Sequence, residues 1–262
     1  MSNEPQKEPG AFSRALAKAR SARARTITIG VILLLVAAFF VYFGSYSHLD
    51  DTARAALVSD ETVTVTQTDY GWFFDGPTDT DALIFYPGAK VEEGAYAPML
   101  RLIAQDKADV FLVKMPFHFS LFGIRKASAI MKRYYYMRWY LGGHSVGGAA
   151  AALYAHRHPN HLSGLFLCAA YPVRPLHHML NVVTVYGDRD GVLNRKRLEK
   201  GQQYVNDSST EWVIEGGNHA QFGSYGPQRG DGEAAISPEE QWAQAAEAFQ
   251  YLLDLNNGVM TY

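Results

Sequence analysis

The chain has 262 residues and a hydrophobic share of 48%, enough for one sizeable core plus an appendage, in one or two domains. Its single cysteine, Cys168, excludes an intramolecular disulfide framework and any multi-cysteine metal site. The formal net charge of −2 divides into +4 over residues 1–25 and −6 over the remainder, so a nucleic-acid partner has no electrostatic support.

The tail, residues 1–25, is polar and rich in Ala, Arg and Lys, and is expected to be disordered or to lie on an anionic leaflet. From Thr26 to Ser47 no Lys, Arg, Asp or Glu occurs over 22 residues. As a helix this stretch spans about 33 Å, against a hydrocarbon core of ~30 Å. Arg14, Lys18, Arg20, Arg23 and Arg25 crowd its N-terminal side, while Asp50, Asp51, Asp60 and Glu61 follow it. The positive-inside rule then leaves the N-terminus in the cytoplasm and the large domain outside the cell membrane, a single-pass arrangement. A cleaved signal peptide is the alternative, but its apolar region would be shorter, roughly 7–15 residues. The expected division is a basic tail (1–25), an anchor (26–47), a short linker or helix (48–61) and a main domain (62–262).

Beyond the linker, residues 62–66 alternate polar and apolar and residues 71–75 follow after a turn, which reads as an antiparallel pair. Short, mostly apolar runs follow at 82–86, 110–113, 139–141, 165–168 and 182–186, and residues 211–215 close the series. Helical patterns separate them at about 94–106, 124–135, 146–158, 193–204 and 238–255. The last carries Trp242, Ala245, Ala246, Phe249, Leu252 and Leu253 on one stripe, after the start signal Ser237, Pro238, Glu239, Glu240. Buried strands alternating with helices require a mostly parallel, doubly wound α/β sheet of about eight strands, covered on both faces.

The sharpest local signal is Gly143-His144-Ser145-Val146-Gly147, a G-x-S-x-G pattern with a strand before it and a small-residue helix after it. A strand that turns directly into a helix forces the serine into a strained conformation and exposes its hydroxyl. The Val146 N–H then points at an incoming oxyanion. A serine hydroxyl needs a base, and the base a carboxylate to orient it. Asp188 and Asp190 lie in the turn after the strand at 182–186, and His219 in the turn after the strand at 211–215. All three groups therefore stand past C-terminal strand ends, where open parallel sheets bind ligands. Asp190 is preferred over Asp188 as the carboxylate. The loop Tyr86–Val91 is expected to give the second oxyanion donor, from the Ala89 N–H, with Lys90 as a poorer choice. Cys168 reads as a small core residue. His156, His158 and His161 mark a helix end; His177 and His178 lack carboxylate partners, so no metal site and no cofactor is expected.

Five segments carry a resemblance to the α/β-hydrolase superfamily, in a small cap-less bacterial branch distantly similar to dienelactone hydrolases. They are residues 85–90, 113–116, 143–148, 186–191 and 216–223. The resemblance spans roughly residues 60–255 and implies Ser145, Asp190 and His219 as a triad, with the Ala89 and Val146 amides as oxyanion hole. Dienelactone hydrolases use a cysteine nucleophile where this chain has Ser145, so their substrate does not carry over. The gap between Ala169 and Asn181 is too short for a helical cap, and Tyr171–Pro175 is placed on the rim of an open site. His144, as the variable position of the elbow, borders the site. Loop 220–236 is read as a substrate-contacting lid, with Lys90, Gln221 and Tyr225 as further candidates for substrate contact. The expected activity is hydrolysis of small-molecule or lipid carboxylic esters. A non-catalytic tethered binding module, an acyltransferase and a peptidase are the alternatives, and no oligomeric state follows from the sequence.

Overall fold

A computed structural model of the protein describes residues 11–258. The chain divides into two compact units, Met1–Ser45 and Tyr46–Tyr262. In the first, helix α1 (Ala11–Gly44) contains Arg23–Gly44, 22 residues long and apolar enough to cross a membrane. Of the basic tail, residues 1–10 lie outside the described residues, whereas from Ala11 onward the backbone is helical and runs without a break into the apolar stretch.

The second unit is built on an eight-stranded sheet. Its strands are β1 (Thr64–Thr68), β2 (Gly71–Asp75), β3 (Asp81–Tyr86), β4 (Asp109–Val113), β5 (Arg138–His144), β6 (Gly164–Cys168), β7 (Asn181–Gly187) and β8 (Thr210–Ile214). Their order is β1-β2-β4-β3-β5-β6-β7-β8, with β1 and β2 antiparallel and every pair from β4 to β8 parallel. Each side chain of β3, β4 and β6 is buried, as a sheet covered on both faces demands. On one face lie α3 (Ala97–Ala104) and α7 (Pro238–Asn257), whose buried residues join Phe85, Phe166 and Val183 in one core, with the partly buried Ala56 of α2 (Asp51–Ala56) packed against it. On the other lie α4 (Lys126–Met131) and α5 (Val146–Arg157), packed on Ile84, Leu141 and Leu165. A seventh helix, α6 (Arg195–Gly201), adds Leu198 to a small cluster with Tyr186 and Leu193.

Two segments depart from the sequence reading. Residues 48–61, expected as linker, fold onto the domain: Asp50 caps α2, its carboxylate accepts from the Ser224 hydroxyl at 2.7 Å, and Ala53 is fully buried. Helix α4 stops at Met131 because the next residues turn inward. Tyr134 packs on Phe73 and Phe111 and bonds the Tyr70 hydroxyl, and Tyr136 donates to Asp109. Helix α7 follows its start signal closely, with the Ser237 side chain and Glu240 forming a capping box.

Candidate active site

Strand β5 runs straight into α5 through Ser145, whose φ of 53° and ψ of −119° lie outside the regions ordinary residues prefer. The turn closes so tightly that a Cβ on Gly147 would stand 2.1 Å from the Tyr86 carbonyl oxygen, and one on Gly143 would stand 2.6 Å from Gly147 itself. No side chain fits at either place, which is the physical content of the two glycines in the motif. The Ser145 side chain does not cap α5; its backbone N–H donates to Cys168 at 2.9 Å. The hydroxyl is left to the pocket.

His219 and Asp190 meet at that pocket from two further strand ends. Asp190 Oδ2 lies 2.8 Å from His219 Nδ1, with both side chains almost wholly buried. The other carboxylate oxygen accepts from the backbone N–H groups of Val192 at 2.8 Å and Leu193 at 2.7 Å, which compensates the buried charge. With Nδ1 engaged, the imidazole leaves Nε2, a buried atom without a hydrogen-bond partner among the described residues, and Ser145 and His219 line the same cleft. Asp188 is turned elsewhere: its carboxylate accepts from the Gly216 N–H at 2.8 Å.

A cleft of about 250 Å³ holds Ser145 and His219, lined by Val146, Ala149, Ala169, Ala170, Tyr171, Val173, Val192, Leu193, Asn194 and Arg197. Tyr171 and Val173 thus stand on the rim expected of them, and the wall is apolar except for Asn194 and Arg197. Among the described hydrogen bonds none engages the Val146 or Ala89 N–H, whereas the Lys90 N–H is already committed to the His118 carbonyl at 2.7 Å. Of the remaining candidates for substrate contact, His144 lies beneath the site, 1% exposed, its ring 4.5 Å from that of His219. Gln221 and Tyr225 are not brought to the Ser145 cleft. The Gln221 carboxamide donates to Ile236 and the residue lines a separate cavity of about 550 Å³, while Tyr225 packs against Tyr96.

Loop 220–236 is pinned down, which a lid over the cleft would not be. Asp231 accepts from the backbone N–H groups of Gly191 at 3.1 Å, His219 at 3.2 Å, Ala220 at 2.8 Å and Gly232 at 2.9 Å. One carboxylate thereby joins the turn carrying Asp190 to the turn carrying His219. Sequence reasoning placed Asp231 in this loop but missed that role, because its partners are backbone groups, one of them, Gly191, in a distant turn.

A second feature missed is Tyr96. Fully buried, its hydroxyl accepts from the Gly88 N–H at 3.0 Å and lies 2.8 Å from His144 Nδ1. It links the strand-end loop that carries Ala89 to the histidine beneath the elbow. Burial and the neighbouring His219 hold the His144 pKa well below the ordinary value, and burial holds the Tyr96 hydroxyl well above its own. His144 therefore stays neutral and does not oppose positive charge on His219. Tyr96→Phe strands the Gly88 N–H and His144 Nδ1, and is expected to lower Tm through a loss of about 1–3 kcal/mol. Turnover of a soluble ester should fall severalfold with KM little changed; unaltered kinetics would remove Tyr96 from the positioning of this site.

A family model described as the alpha/beta hydrolase family matches residues 82–243, and the chain belongs to that family. No curated protein matches in sequence. Solved structures share the fold. A bacterial membrane phospholipase A, described as a virulence factor, superposes with a TM-score of 0.53 at 16% identity, covering 89% of this chain and 99% of that one. A thermophilic esterase from Thermogutta terrifontis gives 0.51 at 12% identity over 74% and 99%. A serine hydrolase involved in carbazole degradation gives 0.54 at 12% identity over 74% and 100%. The fold and the family are those of hydrolases.

Proposed function

We propose that the protein is a membrane-anchored serine hydrolase that cleaves carboxylic esters through Ser145, His219 and Asp190. The observation that carries this reading is the 2.8 Å pairing of His219 Nδ1 with Asp190, which leaves Nε2 as the free nitrogen of the cleft that the strained Ser145 lines. His219 Nε2 takes the proton from Ser145 as Oγ attacks the ester carbonyl. The Val146 and Ala89 N–H groups meet the oxyanion. The alcohol leaves with the proton from His219, and a water activated by the same nitrogen releases the acid from the acyl-enzyme. A fluorophosphonate probe applied to the full-length chain in detergent should label it covalently, with the adduct mapped to the peptide bearing Ser145. An adduct elsewhere, or none on folded protein, would defeat the assignment.

The anchor in this proposal is the 22-residue apolar segment of α1, with the N-terminus cytoplasmic and the hydrolase domain extracytoplasmic. The full chain should remain with membranes through an alkaline carbonate wash, and a chain lacking residues 1–45 should leave them. Extraction of the full chain by carbonate would count against a spanning helix.

A further inference from the structure

The loop after β4 holds large apolar side chains on the outside of a firmly fastened backbone. Phe117, Leu121 and Phe122 are 47%, 43% and 51% exposed. Beneath them the wholly buried Ser120 donates to the Pro87 carbonyl at 2.6 Å, and the Lys90 N–H donates to the His118 carbonyl at 2.7 Å. Phe117 and His118 both adopt positive φ, 55° and 50°, a conformation that bulky residues keep only where their surroundings enforce it. Apolar groups scattered singly over a surface need no explanation, but these stand together on one loop. On one side, away from Glu93 beside His118, their neighbours are basic. Arg125, Lys126 and Arg157 line a shallow groove of about 480 Å³ with Leu121 and Phe122, and none of the described residues lining it is acidic.

Position in the chain indicates the partner. Tyr46 stacks on His118 with ring centroids 3.8 Å apart, and Ser47 pairs with Val91 in a parallel bridge. The polypeptide therefore enters the hydrolase domain at this loop, and Ser45 alone separates Tyr46 from Gly44, the last residue of α1. Aromatic and leucine side chains rimmed by cations suit a lipid–water boundary, where apolar groups enter the acyl region and cations stay among anionic headgroups.

We propose that the Phe117–Phe122 loop docks into the surface of an anionic bilayer, giving the domain a second contact with the membrane beside α1. The proposal rests on the anchoring by α1 put forward above and adds which face of the domain meets lipid. Because His118 and Ser120 also hold Lys90 and Pro87, that face adjoins the loop carrying Ala89. Esters resident in the same leaflet become the nearest substrate class.

The test uses the full-length chain in vesicles of phosphatidylglycerol and phosphatidylcholine. A solvent-sensitive fluorophore is attached through Leu121→Cys, or through Tyr135→Cys as a control that is 93% exposed. Native Cys168 is buried and leaves the label to the introduced thiol. Flotation with the vesicles scores the anchor; quenching by lipids with a nitroxide on the acyl chain scores the loop. The expected result is flotation, severalfold stronger quenching at position 121 than at 135, and weaker quenching after Arg125→Glu with Arg157→Glu in the phosphatidylglycerol vesicles. Flotation with equal quenching at the two positions overturns the docking loop alone. A shielded but unquenched label at 121 overturns it in favour of a protein partner. Failure to float overturns both the loop and the anchor.

Discussion

Ser145→Ala is expected to lower kcat for ester hydrolysis by on the order of 10⁴–10⁶-fold and to abolish fluorophosphonate labelling, while the fold persists. In the proposed mechanism the hydroxyl carries the reaction, and it holds little of the structure: it does not cap α5, and the turn is held by the Ser145 N–H bond to Cys168 and by the contacts of Gly143 and Gly147. Alanine keeps the unfavourable φ of 53°. Glycine, which meets no Cβ penalty there, should give an equally inactive protein that melts higher than the alanine variant, by an amount near 1 kcal/mol in stability. Comparing the two Tm values reads the strain held at the elbow separately from its chemistry. Substantial ester turnover in either variant would remove Ser145 from its role.

The second large effect separates the two aspartates of one turn. Asp190→Asn should cost about 10⁴-fold in kcat, whereas Asp188→Asn should cost less than about tenfold, a change small beside the loss of a triad member. An asparagine at 190 can still offer one oxygen to the Val192 and Leu193 N–H groups, so the turn survives. Its amide would then face His219 Nδ1 as a donor and drive the ring proton to Nε2, the nitrogen that must be empty to accept from Ser145. Asp188 faces the Gly216 N–H instead, and a carboxamide oxygen serves that bond as well. Steady-state kinetics on a soluble ester, with circular dichroism to show that both variants are folded, decide between the residues. Equal losses in the two would break the assignment.

These sites were legible to different degrees for physical reasons. The elbow could be read because its requirements are local: a buried strand, glycines where no Cβ fits, then small residues against the sheet. Asp190 and His219 could be read because chain order and strand ends restrict where they stand. Asp231 could not, since it recognises backbone N–H groups as distant as Gly191, and backbone donors leave no mark in a sequence pattern. Tyr96 looks like any core aromatic until its hydroxyl is seen between Gly88 and His144. The segment 48–61 has no strong periodicity, and its attachment depends on long-range pairings, of Asp50 with Ser224 and of Arg101 with Ala56, Val58 and Asp60. Loop 220–236 was legible as a long loop but not as a fastened one, because length and glycine content describe freedom in the unfolded chain and say nothing of Asp231's four N–H partners.

That same carboxylate limits how the scaffold can be rebuilt. Loops around a hydrolase sheet are commonly treated as exchangeable modules, to be swapped one at a time for new specificity. Here the segment reaching from Gly191 to Gly232 is a single part in assembly terms, since one side chain holds its two ends and the base between them. A graft that replaces loop 220–236 without restoring an acceptor at position 231 would remove this bridge between the histidine turn and the carboxylate turn, and leave their alignment to the bonds of Asp188 with Gly216 and of Arg189 with Gly217. Redesign has more room where Tyr171 and Val173 border the cleft, since among the described residues no side-chain hydrogen bond fastens either of them.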